Sequence, residues 1–252
     1  MSPLFKRICG SLLALVVVHL IWLLASLGVN KAILPSPVVV YQSFGTLVKA
    51  QLGWHIMVSL RRIFIGMGVA LVIGSGLGVL MGRSKLWNNL LDPLIYLTYP
   101  IPKLALLPMI MLLFGLGELS KIILISLIVF PQVVLSVRDA VQAIPEHLYD
   151  IYQCMQASSW QRFKAITLPA SFSAVLSTSR ISLGTAISVL FFTENYGTKY
   201  GMGYFIMDAW TRMDYPMMYG GILVLSGIGF SLFILIDLLG MTMSWQKKKL
   251  DA

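Results

Sequence analysis

VSLRRIFIGMGVALVIGSGLGVLMG, residues 58–82, is an apolar run long enough to cross the roughly 30 Å hydrocarbon core of a bilayer as one helix. Its two charges, Arg61 and Arg62, sit near one end. Gly66, Ala70, Gly74, Gly78 and Gly82 recur at every fourth position, which places all five on one helical face. In lipid, where no hydrophobic force drives helices together, such a face lets a second backbone come close, so this span is expected to pack tightly against another.

Working outward, apolar runs at about 9–28, 90–114, 121–138, 169–193 and 217–243 bring the expected spans to six. The run after Lys6 and Arg7 exceeds the h-region of a signal peptide and no small-x-small cleavage site follows, so it is expected to remain as a span. Leu34-Pro35-Ser36-Pro37 reads as a turn, and Val40, Phe44, Leu47 and Val48 as a short amphipathic helix resting on the membrane surface. The run 90–114 carries Pro93, Pro100, Pro102 and Pro108, lacks several amide donors, and is expected to be broken or kinked. Irregular backbone at membrane depth survives only inside protein or beside water, which makes residues 98–108 the first candidate lining of a pathway. Phe114-Gly115-Leu116-Gly117 then turns the chain into the span at 121–138, which holds Pro131.

Composition agrees with this reading. The 252 residues are 58% hydrophobic and 12% charged, against about 45–50% and about 25% in a soluble domain. The whole chain, 1–252, reads as one transmembrane unit, all-α, with no separate soluble domain and no GxxxxGK[ST] nucleotide loop. The net charge of +9 comes from basic residues beside apolar runs, without the aromatic interleaving of a nucleic-acid groove, and no nucleic-acid partner is expected. With the N-terminus inside, ten basic residues fall on the inner side (6, 7, 83, 85, 138, 162, 164 and 247–249) and five on the outer (Lys31, Lys49, Lys121, Lys199, Arg212). That bias places both termini in the cytoplasm. Two cysteines, Cys9 and Cys154, offer no disulfide framework.

The charged interval 139–167 is too polar to cross. Within 145–169, Leu148, Ile151, Tyr152 and Met155 keep helical spacing, Ala157-Ser158-Ser159 interrupts it, and Trp160, Phe163 and Ile166 resume it up to Leu168-Pro169. This reads as two short helices joined by a turn, with Ser159 as the N-cap of the second. Their apolar side, a ridge of Tyr152, Met155 and Phe163, needs a partner, and Arg162 and Lys164 are placed to meet acids at its rim.

This interval resembles the cytoplasmic loop of the membrane subunits of bacterial binding-protein-dependent ABC importers, with its pattern E-A-A-x3-G-x9-I-x-L-P. Asp150 takes the acidic position, Ile151 and Tyr152 replace the alanines, Gln156 replaces the glycine, and Ile166, Leu168 and Pro169 match the end. A left-handed Gln156 would cost roughly 1–2 kcal/mol, so the turn is expected to be built differently or to keep a negative φ. Leu34-Pro35-Ser36-Pro37, Pro100-Ile101-Pro102 through Ala105, Pro108 and Phe114–Gly117, and Glu194 followed by Gly201-Met202-Gly203-Tyr204 resemble the nitrate, sulfonate and taurine branch. The resemblance implies a type I importer permease of six transmembrane helices with a cytoplasmic coupling helix. It implies that Asp150, Tyr152, Met155, Gln156, Ala157, Ser158, Phe163, Leu168 and Pro169 dock an ATP-hydrolysing subunit, which holds the ATP and Mg²⁺; this chain needs no cofactor and is no enzyme. It further implies an external substrate-binding protein, a second copy of the chain, surrounding lipid, and the bacterial inner membrane. The implied cargo is a small oxyanion or sulfonate, with a thiamine-pyrimidine or riboflavin-type vitamin precursor as the alternative.

Charged groups inside spans are expensive and face cavities or partners. Lys103, Arg180 and Glu194 on that ground, and Tyr99, Pro100 and Pro102 as part of the broken segment 98–108, are the candidate pathway residues. A rival function, ion-coupled secondary transport through Asp237 and Glu194, lacks an inverted repeat. A membrane enzyme lacks a catalytic constellation: Ser158 and Ser159 have no His or Asp beside them, and His19, His55 and His147 are too scattered to bind a metal.

Overall fold

The computed structural model describes residues 3–29 and 31–250, and the side chains of 13–29 and 31–240. The side chains of Lys6, Arg7, Cys9 and Lys247–Lys249 lie outside that range. Among the described residues there is no strand. The helices are α1 (Pro3–Val29), α2 (Pro37–Gln42), α3 (Phe44–Lys49), α4 (Leu52–Arg83), α5 (Lys85–Thr98), α6 (Leu107–Phe114), α7 (Glu118–Gln142), α8 (Glu146–Cys154), α9 (Ser159–Arg162), α10 (Leu168–Thr193), α11 (Met202–Thr211) and α12 (Tyr215–Leu250). A 3₁₀ turn, Lys103–Leu106, leads into α6, and a π-helical turn, Phe163–Thr167, joins α9 to α10.

Four helices are long and apolar enough to span a membrane: α4, α7, the continuous run Ser159–Thr193, and α12 as far as Gly240. A fifth crossing is broken, since α5 and the run Lys103–Phe114 meet at 81°. Leu13–Val29 of α1 is a shorter apolar helix, so among the described residues four helices, or five crossings with the broken pair, stand against the six expected. The break falls where Pro100 and Pro102 remove amide donors. Pro93 and Pro131 stay within unbroken helices, and Pro108 occupies the first turn of α6, where a missing N–H costs nothing.

The α4–α7 seam organises the core. A Cβ placed on Gly66 would lie 2.8 Å from Ile125, on Gly74 3.0 Å from Val133, and on Gly78 2.6 Å from the Val134 carbonyl oxygen. The small-residue ladder is thus occupied by Ile125, Val133, Val137 and Val141 of α7. Across the seam the Ser126 hydroxyl donates to the Gly66 carbonyl at 2.8 Å, a contact open only to closely spaced backbones.

The segment after α1 differs from the expectation of one surface helix. It folds as α2 and α3, whose Val40 and Leu47 are fully buried, and a Cβ on Gly220 of α12 would lie 2.8 Å from Leu47. Val40 and Leu47 are therefore covered by protein, whereas Val48 of the expected face remains 70% exposed. Trp22 Nε1 fastens α1 to this segment by donating to the Pro35 carbonyl at 3.1 Å.

Candidate functional site

At the end of the bundle where α4 begins, α7 begins and α10 ends, Arg62 is 1% exposed and all five of its guanidinium donors are taken. Nε donates to Glu118 at 2.9 Å, and Nη1 to Glu194 at 2.7 Å and to the Tyr200 carbonyl at 2.9 Å. Nη2 bonds the second Glu118 oxygen and Thr198. Glu194, 0% exposed, also accepts from the Ser59 hydroxyl at 2.8 Å and the Gly203 amide at 2.8 Å. The Met202 amide donates to Ser59 at 2.7 Å, and the Gly201 amide to His55 Nδ1 at 3.1 Å.

The first amides of α11 thus converge on α4 and on the Glu194 carboxylate, which the positive end of the helix favours. Gly201 has φ +131°, and a Cβ there would come within 2.5 Å of the Glu194 carboxylate oxygens. Lys121 closes the Gly115–Gly117 turn by donating to the Leu116 and Gly117 carbonyls at 2.8 and 3.1 Å. Glu194 is enclosed here rather than presented to an opening. Ser59, Arg62, Glu118 and His55, which sequence reasoning passed over, are its partners; Ser59 and Arg62 one turn apart on α4 are the local signal that points to them.

Tyr99, Pro100, Pro102 and Lys103 all lie at the break, with Lys103 Nζ 5.4 Å from the centre of the Tyr99 ring. Beside them a cleft of about 740 Å³ is lined by Leu104, Pro108, Met111, Leu116, Phe192 and Tyr196, among others. Arg180 lies elsewhere. It pairs with Asp237 of α12, and both side chains remain 48% exposed. Ser173, Ser177 and Ser188 are exposed on the Arg180 face of α10. Ser182 is buried and donates to Gln132 at 3.1 Å.

At the opposite end, α8 and α9 form the amphipathic turn. Gln156 adopts φ +56°, overturning the expectation of a negative φ. The Ala157 amide donates to the Tyr152 carbonyl and the Gln156 amide to the Gln153 carbonyl, both at 2.9 Å. This is a Schellman closure with glutamine where glycine is usual, so the strain is met by two otherwise orphaned carbonyls. The cap of α9 is Ser158, one residue before the expected Ser159: its hydroxyl accepts from the Gln161 amide at 3.3 Å, while Gln161 Oε1 accepts from the Ser158 amide at 2.7 Å. The S-x-x-Q spacing is the sequence signal of that capping box.

The outward ridge is also displaced. Met155 is 73% and Trp160 68% exposed, with Ile151 beside them. Tyr152 and Phe163 are half-buried, and Phe163 lines a groove shared with Leu71, Val72 and Val79 of α4, while Leu168 in the same lining stays 44% exposed. Asp150 and Ser158 are exposed, and Pro169 opens α10. Among the described residues no three His, Cys, Asp or Glu side chains gather as a metal site would require.

Close-packed apolar spans, one of them broken, with an apolar turn projecting from one end, define a helical membrane protein. The chain belongs to the family described as binding-protein-dependent transport system inner membrane component, which residues 70–244 match. It is 31% identical over 222 residues to the putative aliphatic sulfonates transport permease protein SsuC of Bacillus subtilis (strain 168), covering 87% of this chain and 80% of that protein. It is 31% identical over 238 residues to the taurine transport system permease protein TauC of Escherichia coli (strain K12), covering 91% and 86%. The fold matches a solved structure of the MetNI methionine ABC transporter, in an inward-facing conformation, with a TM-score of 0.65 at 20% identity over 76% of this chain and 95% of that one. The protein is thus a permease component of the ABC importer class.

Proposed function

We propose that this chain forms the translocation pathway of an ATP-driven importer, taking up a small oxyanion or sulfonate delivered by an external binding protein. Two copies assemble with two ATP-binding subunits, which carry ATP and Mg²⁺. The chain lies in a bacterial inner membrane with both termini cytoplasmic. SsuC and TauC, named for aliphatic sulfonates and taurine, support the cargo class. The observation that carries the reading is the projecting turn: Ile151, Met155 and Trp160 form an apolar ridge at one end of the bundle, on a backbone fixed by the Gln156 closure and the Ser158 cap.

In this reading Asp150, Gln156, Ala157 and Ser158 shape and border the docking turn, Tyr152 and Phe163 lie half-buried between it and the bundle, and Leu168 and Pro169 open α10 behind it. The pathway runs past the break at Tyr99, Pro100, Pro102 and Lys103, and along the α10 face of Ser173, Ser177 and Arg180. An ion pair half-exposed at membrane depth, such as Arg180–Asp237, is incompatible with hydrocarbon and demands protein or water. The test is Met155→Asp in the chain co-expressed with its ATP-binding subunit. An aspartate at a docking contact is expected to abolish co-purification and substrate-stimulated ATP hydrolysis, while the permease keeps its yield. Co-purification and stimulation at wild-type levels would remove the turn from the coupling role.

A further inference from the structure

Where α4 ends, α5 begins and α7 passes into α8, a cavity of about 390 Å³ opens, lined by Arg83, Lys85, Asn88, Gln142, Glu146 and Tyr149. It is separate from the break, the Arg180–Asp237 pair and the docking ridge. Three features give it a chemistry. Arg83 and Lys85 form no ion pair among the described residues, and Arg83 is held 5.4 Å over the Tyr149 ring, which fixes its position without neutralising it. Glu146, also in the lining, likewise forms no ion pair among the described residues. Asn88 has its Oδ1 buried without a hydrogen-bond partner, although a buried acceptor normally has one.

The cavity therefore brings together two cationic donors, Arg83 and Lys85, with a carboxylate, Glu146, and an unsatisfied acceptor, Asn88 Oδ1. A simple anion leaves Glu146 and Asn88 unserved, and a simple cation leaves Arg83 and Lys85. A zwitterion with its phosphate and ammonium two carbons apart serves all four. The mouth lies beside Leu86, Trp87 and Leu90, all exposed on the first turns of α5; a tryptophan at a span end marks headgroup level, and the leucines continue as a surface for acyl chains. We propose that this cavity binds a phosphoethanolamine group, carried as the headgroup of a membrane phospholipid, with phosphate on Arg83 and Lys85 and ammonium between Glu146 and Asn88 Oδ1. Since Glu146 and Tyr149 belong to α8, the bound lipid would bridge α4 and α5 to the helix that leads into the docking turn.

The test uses the full-length chain, delipidated in detergent and offered equimolar phosphatidylethanolamine and phosphatidylglycerol of matched acyl chains, with retained lipid read by native mass spectrometry. Wild-type protein is expected to prefer phosphatidylethanolamine by about tenfold, the scale of one charge-assisted hydrogen-bonded contact. Glu146→Gln should erase the preference, and Lys85→Gln should lower retention of both lipids. Asn88→Asp should raise the preference above wild type, a gain that misfolding does not produce. A parallel arm offers soluble O-phosphoethanolamine, whose displacement of the retained lipid supports the shared chemistry. Binding of the soluble compound without retention of lipid would overturn the lipid source, and equal retention of both lipids by wild type and variants would overturn the site.

Discussion

At one end of the molecule Arg62 is 1% exposed with its five donors satisfied; at the other, Met155 is 73% exposed and touches little of its own chain. The first region gathers side chains from α4, α7 and α10 and the amides of α11 into one buried polar cluster. The second is a short turn closed by local bonds, its first helix tied to the bundle through Tyr149, with its apolar side outward. Burying charge is costly unless every partner is in place, and a cluster so completed gains little net stability while fixing a single arrangement. Leaving apolar area open has the opposite logic, because its stabilisation waits for whatever covers it. One end is built to stay as it is, the other to be completed from outside.

The largest effect that would break this contrast belongs to Arg62. Arg62→Ala leaves Glu194 buried without its counter-charge and should destabilise the protein by about 3–5 kcal/mol, read as lost yield and a lower thermal midpoint in detergent. Arg62→Lys should recover part of this, because an ammonium has three donors for five acceptors. Wild-type stability for Arg62→Ala would mean the cluster holds nothing together.

Next comes the seam between the two ends. Gly78→Leu, whose Cβ alone would meet the Val134 carbonyl at 2.6 Å, should cost at least about 1–3 kcal/mol. Gly76→Leu, with nothing within 4 Å, should fold normally. Equal behaviour of the two in a detergent melting assay would show that the ladder is not what seats α7.

The smaller effects sharpen the account of the open end. Gln156→Gly relieves roughly 1–2 kcal/mol of left-handed strain but frees the unfolded chain by about 0.4–1 kcal/mol, so a net gain of roughly 0.5–1 kcal/mol is expected from chemical denaturation. Met155→Asp should change stability by less than about 0.5 kcal/mol, as an exposed surface substitution does. A large loss of stability from Met155→Asp would mean that the ridge packs on its own chain.

What the sequence made legible was periodic or local. The five small residues of 66–82 share a face by arithmetic, and Pro100 and Pro102 remove donors wherever they stand, so the seam and the break could both be anticipated. The amphipathic turn was placed by spacing, yet its details moved: the cap shifted from Ser159 to Ser158, and φ at Gln156 came out positive, because a Schellman pair of bonds outweighed the residue's own preference. The ridge rotated from Phe163 to Trp160, since the π-helical turn Phe163–Thr167 resets which side of the chain faces the bundle. Of the Arg62 cluster the sequence singled out Glu194 but not its pairing, since Arg62 and its two acids lie 56 and 132 positions apart and no period links them.

Those separations also set an order of events as the chain is made. Arg62 enters the membrane before either of its acids exists, and Glu118 follows 56 residues later, whereas Glu194 is a further 76 residues behind it. During most of synthesis Glu118 is the acid available to neutralise the guanidinium, and the pair is reachable as soon as α7 lies against α4. Glu194 and the amides of α11 arrive last, on a partner already in position. The cluster therefore works as a final fastening: it closes only on a chain whose first helices are correctly seated, and a mispaired intermediate has no place to put Glu194.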